Sequence, residues 1–135
     1  MYWQEKFNKN HEQKIKVLQK KFGKMLPDEK MLISTPESIY DFISNIPKGK
    51  FISVKEMREL LAKKASADGT CHLTTGIFLR IAIEYSLESN LGLPFWRVID
   101  YKSNLAKKLS CGIEFIKNNQ IKENINNWII SLIYT

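Results

Sequence analysis

Between Thr70 and about Leu87, Leu73, Ile77, Phe78, Ile81 and Tyr85 are spaced so that apolar side chains emerge on more than one side of a helix. Such a helix cannot rest on a surface; other elements must wrap it. In a chain of 135 residues this sets the architecture: one domain folded around a central helix. An apolar fraction of 44% supplies an ordinary core, and 26% charged residues is not the balance of a disordered chain.

The first turn of that helix is its polar exception, with His72, Thr74 and Thr75 behind a Thr70 cap. Upstream, Ser53-Val54-Lys55-Glu56 is a capping box, which opens a helix with Met57, Leu60 and Leu61 inward and Lys63-Lys64 at its end. Ala65 to Gly69 is a loop. Helix, short connection and second helix with a polar start make a helix-turn-helix shape, one that many helix pairs share. Before it, Thr35-Pro36-Glu37 starts a further helix whose buried face is Ile39, Phe42, Ile43 and Ile46. Pro47-Lys48-Gly49-Lys50 is a turn, and Phe51-Ile52 is extended.

Beyond the central helix, Arg97-Val98-Ile99 reads as extended, Asp100 to Asn104 as a turn, and Leu105 to Leu109 as the return limb of a small wing. Gly112 opens a helix with Phe115, Ile116 and Ile121 as its core contacts. Trp128 to Tyr134 reads as a final strand or a continuation of that helix.

Residues 1–30 form a basic extension, net +4, ahead of a domain over residues 31–135, net +3. Trp3, Phe7, Ile15, Leu18 and Phe22 give it a loose helical stripe ending at Gly23. Packing of that stripe on the domain is favoured over an autonomous DNA-binding arm.

The net charge of +7 and a pI near 9.4 favour an anionic partner, with nucleic acid and an anionic membrane surface both compatible. No apolar run is long enough to span a bilayer, and Met1 to Lys6 lacks the apolar core of a signal peptide, so a cytoplasmic location with no membrane partner is expected. Cys71 and Cys111 are expected to be reduced thiols. Two histidines and no CxxC pair argue against a metal site, and no cofactor is expected.

Several segments resemble, in order, the C-terminal domain of the methylguanine-DNA methyltransferase family. Ile46-Pro47-Lys48-Gly49-Lys50-Phe51-Ile52-Ser53 is similar to that family's Ile-Pro-x-Gly-Lys-Val-x-Thr turn before the first helix of its helix-turn-helix. Thr74-Thr75-Gly76-Ile77 falls at the start of its recognition helix. Pro94-Phe95-Trp96-Arg97-Val98-Ile99 falls on its active-site Pro-Cys-His-Arg-Val motif, and Gly112-Ile113-Glu114 where a glycine opens its last helix. The likeness covers about residues 35–125. A closer resemblance is to bacterial proteins of this family with an aromatic residue at the Phe95 position, a Trp-Arg pair like Trp96-Arg97 and a basic N-terminal extension.

The resemblance implies an α+β winged helix-turn-helix domain. It also implies a lost reaction, because Phe95 stands at the cysteine position and Trp96 at the histidine position. The family's arginine finger is matched by His72 or Leu73, and its nucleotide-rotating tyrosine by Val54. The expected function is therefore binding of double-stranded DNA without alkyl transfer, with sensing of damaged bases as one form of it. A related branch, the alkyltransferase-like proteins, has tryptophan in place of the cysteine and recognises alkylated guanine without repairing it.

On this reading Phe95 and Trp96 are either core aromatics or the stacking floor of a base pocket. Arg97 either bonds carbonyls of the turn or contacts DNA. His72, Thr74 and Thr75 are candidates for phosphate or base-edge contacts at a helix N-terminus. Lys48, Lys50, Lys55, Lys102, Lys107 and Lys108 are candidates for backbone phosphates, weighed against the default of solvated lysine. Cys71, in a first helical turn, is the remaining alkyl acceptor if the chain is an enzyme at all. The alternative function is a protein-interaction or regulatory module on the same scaffold.

Overall fold

The helix α4 (His72–Ser89) spans 18 residues and is the axis on which the chain is packed. The computed structural model describes residues 1–125. In chain order it contains α1 (Tyr2–Asn8), β1 (Lys14–Val17), β2 (Lys30–Ile33), α2 (Pro36–Ser44), α3 (Val54–Lys64) and β3 (Gly69–Thr70). After α4 come a single 3-10 turn over Phe95–Arg97, then α5 (Asn104–Lys108) and α6 (Ile113–Lys122). The architecture is α+β: helices around one core, with a small sheet of order β1-β2-β3, antiparallel then parallel.

The helix starts follow their sequence signals. Thr35 caps α2, its hydroxyl oxygen accepting from the Ser38 amide at 3.1 Å, with Pro36 in the first turn. Ser53 caps α3 in the same way, accepting from Glu56 N at 3.1 Å. Asn90 closes α4 in the left-handed region at φ 53°, a conformation asparagine tolerates. The core joins Ile39 and Ile43 of α2, Met57 and Leu61 of α3 and Leu79, Ala82 and Ile83 of α4 with Phe95, Val98, Ile99 and Ile116. Phe7 of α1 stacks on Tyr85 of α4 with centroids 4.3 Å apart.

Five expectations change. The N-terminal segment is not a helix through Phe22: α1 ends at Asn8, and Lys14-Ile15-Lys16-Val17 is a strand. Alternating lysine and β-branched residues suit a pleated ribbon better than a helix. Because β1 pairs with β2, which begins at Lys30, the division at 30/31 falls inside the sheet. The proposed wing is absent from 97–109: Phe95–Arg97 is a 3-10 turn, and Asn104–Lys108 is helical because Ser103 caps it through the Ala106 amide at 3.2 Å. Thr70 lies in β3 and donates to the Arg58 carbonyl at 2.7 Å, leaving Cys71 at the N-cap of α4. Finally, Leu60, Leu73, Ile77, Phe115 and Ile121 are exposed rather than in the core. The expected strand from Trp128 to Tyr134 lies outside the described residues.

Candidate nucleic-acid interface

Contacts sort the expected site residues into three groups. The first surrounds Glu123, just past α6. Arg97 donates from Nε and Nη2 to its two carboxylate oxygens, both at 2.8 Å, and from Nη1 to the Ile46 carbonyl at 2.7 Å. The Trp96 indole donates to Glu123 Oε2 at 2.8 Å and the Gly49 amide to Oε1 at 3.1 Å. Gln120 donates to the Trp96 and Ile99 carbonyls, and the Ile52 amide to the Arg97 carbonyl. One carboxylate thus ties the Pro47–Lys50 turn, the Phe95–Arg97 turn and the end of α6 together. The Arg97 hydrogen bonds hold the Glu123 carboxyl down to about 2, against the opposing effect of burial, with help from Gly49 and Trp96.

For Arg97, Phe95 and Trp96 these contacts match the internal one of the two readings left open and not the DNA-contact and base-pocket roles. Arg97 is spent on an internal clamp rather than presented to a ligand. Phe95 is 1% exposed and packed against Trp96 and Phe115, so neither ring face is free to receive a base. Trp96 is half-buried, with its N–H committed to Glu123. Lys48 and Lys50 remain exposed on the turn the clamp fixes, and Lys55 is exposed in the first turn of α3.

The second group lies at the start of α4. His72 is exposed and packs on Phe22, with centroids 5.3 Å apart. Thr75 is wholly buried and its hydroxyl donates to the Cys71 carbonyl at 2.6 Å, which removes it from any interface. Thr74 is half-buried, and its Oγ1 has no hydrogen-bond partner among the described residues. Cys71 is buried with Leu18 and Met31 and is closed to an incoming alkyl group.

The third group lies at α5. Lys102, Lys107 and Lys108 are exposed, and the Arg80 guanidinium of α4 donates to the Lys108 carbonyl at 3.4 Å. Arg80 also lies over the Trp3 ring at 5.3 Å. The end of α5 is thereby attached to α4 one turn beyond Ile77. Between the second and third groups α4 presents Leu73, Gly76 and Ile77. Leu73 and Ile77 are 57% and 59% exposed, and a Cβ on Gly76 would meet nothing within 4 Å. Sequence periodicity misses this open face because it treats every apolar residue on a helix as core.

Several carboxylates bond the chain's own amides and hydroxyls rather than lysines. Glu88 accepts from the amides of Trp3 and Gln4, Glu29 from Leu26, Asp68 from Lys30, Asp100 from Lys102, and Glu84 holds Ser110. Among the described residues no lysine has a carboxylate within 4.0 Å; the side-chain pair is Arg97 with Glu123. Also among them, no group of three His, Cys, Asp or Glu side chains could hold a metal ion, and no helix is long and apolar enough to cross a membrane. Comparison with protein-family models, with characterised proteins and with solved structures finds no match.

Proposed function

We propose that this protein binds double-stranded DNA in the cytoplasm through its α3–α4 helix pair, as a non-catalytic relative of the methylguanine-DNA methyltransferases with a winged helix-turn-helix plan. The observation that carries the reading is the unpaired lysine surface: among the described residues no lysine has a carboxylate within 4.0 Å, and every lysine except Lys117 is exposed. A polyanion is the partner that such a surface attracts, by releasing counterions. The open stripe of α4 is the element free to approach base edges. The buried Phe95 ring supports binding without alkyl transfer, and it argues against capture of a flipped base.

Fluorescence anisotropy with a labelled duplex across a salt series tests this. Affinity should fall linearly on logarithmic axes, and an absence of binding at low salt would exclude the reading.

One observation favours a protein partner instead: Leu73 and Ile77, four residues apart on α4, are both exposed. An apolar pair at that spacing suits a helix or groove of another protein. Polar substitution of both residues would separate the readings. A protein contact would be lost, whereas the salt dependence of DNA binding would persist.

A further inference from the structure

We infer that the β1–β2 hairpin is a phosphate-gripping wing of the DNA interface, with the end of α5 as its counterpart across a groove; this rests on the DNA-binding reading above. The hairpin runs from Lys14 to Ile33 and carries Lys14, Lys16, Lys20, Lys21, Lys24 and Lys30. Its tip is a two-residue turn: Phe22 and Met25 exchange both backbone bonds, at 3.0 and 2.9 Å, and Gly23 occupies the first central position at φ +59°. Glycine with positive φ there is the type II′ pattern, whose twist matches a hairpin.

The tip is seated on α4. A methyl group on Gly23 would stand 3.1 Å from Cε1 of His72, and the Phe22 ring covers the same imidazole. Underneath, Leu18, Met31 and Cys71 form a small buried cluster flanked by Phe22, Met25 and Ile33. The hairpin is therefore fixed to the first turn of α4. Lys16, Lys20 and Lys21 line a hollow of about 390 Å³ formed by residues 16–22 alone. Three exposed lysines on one short segment beside a concave surface give a local positive charge that suits a phosphodiester.

The other end of the open α4 stripe is Arg80, bonded to the Lys108 carbonyl beside Lys107. From Leu73 to Arg80 the helix rises about 10 Å at 1.5 Å per residue. That is close to the width of a DNA major groove, about 12 Å. Lysines stand at both ends of the stripe, with an uncharged, Cβ-free gap at Gly76 between them. A duplex lying across α4 would offer one phosphate strand to the hairpin and the other to α5.

The test compares the natural chain with Lys16→Gln/Lys20→Gln/Lys21→Gln/Lys24→Gln and with Lys6→Gln/Lys9→Gln, at and just past α1, as a control. The slope of log affinity against log salt should shrink by about 2–4 in the hairpin variant, at about 0.9 per phosphate lost, and stay unchanged in the control. Lysine acetylation followed by mass spectrometry, with and without duplex, supplies a readout on the unaltered chain: Lys20, Lys21 and Lys24 should be protected, and Lys6 and Lys9 should not. A natural slope in the hairpin variant, or unprotected hairpin lysines on a bound duplex, overturns the wing and leaves DNA binding standing. No duplex binding by the natural chain, or binding to anionic vesicles in its place, overturns both.

Discussion

Arg97 and Glu123 lie 26 residues apart and meet through two parallel 2.8 Å hydrogen bonds, both side chains largely shielded from water. A planar guanidinium matched to a carboxylate in this way is directional as well as strong. The pair anchors the turn carrying Lys48 and Lys50 through Gly49 and Ile46. Replacing Glu123 by Gln leaves the guanidinium unneutralised. We expect a loss of about 3 kcal/mol in chemical denaturation, the low end for removing one partner of a buried pair. Helical content should change little, because Glu123 lies beyond α6.

The same carboxyl gives stability a defined acid limb. Its pKa is lowered on folding, from 4.5 to about 2, so the unfolded chain binds the proton more readily. The contribution is complete above the unfolded value and is lost as pH falls toward the folded one. Melting temperature should drop between about pH 5 and pH 2, with roughly 1–3 kcal/mol of the loss absent in Glu123→Gln.

Gly76 separates folding from binding. It lies inside α4 with open space where a Cβ would point. Alanine there should stabilise the fold by about 0.5–1 kcal/mol, since glycine is the poorer helix former. If the α4 stripe approaches a duplex closely, the same substitution should weaken DNA binding by anisotropy. Higher stability with undiminished affinity would remove Gly76 from the interface.

Phe95→Cys places a thiol at the position that the family resemblance assigns to the nucleophile. The site is closed, and no histidine stands beside it, since the next residue is Trp96. Incubation with methylated DNA should leave the mass of the variant unchanged. Loss of the ring should also cost about 3 kcal/mol or more in denaturant, as expected for a large core aromatic replaced by a small side chain.

Local signals carried much of the fold into the sequence. The Thr35 and Ser53 caps, the buried face of α2, Met57 and Leu61 on α3 and the central place of α4 depend on neighbours a few residues away, and they are legible for that reason. The N-terminal hairpin is hidden in the sequence because five widely spaced apolar residues imitate a helical stripe, while the deciding pairing of β1 with Lys30–Ile33 is nonlocal. Ser103 is a ready cap for α5, and it outweighs the apolar pattern that reads as a wing. The bulk of Phe95 and the absence of a thiol were visible at once. A carbonyl partner for Arg97 is among the expectations, whereas Glu123 is not, because it carries no motif. The open stripe of α4 depends on which faces α1 and α2 cover, and periodicity alone does not settle that.

The hairpin has a second side. Among the described residues β1 pairs with β2 alone, so its outer edge is unpaired, and Ile15 and Val17 on it are exposed. An edge of this kind invites another strand, and Lys14 and Lys16 discourage the approach through mutual repulsion. Colloidal behaviour then depends on the ions nearby: concentrated salt screens the repulsion, and a bound polyanion cancels it. On the DNA-binding reading proposed above, copies crowded along one duplex would lose what keeps their edges apart, and filament growth would follow from this lysine-guarded strand.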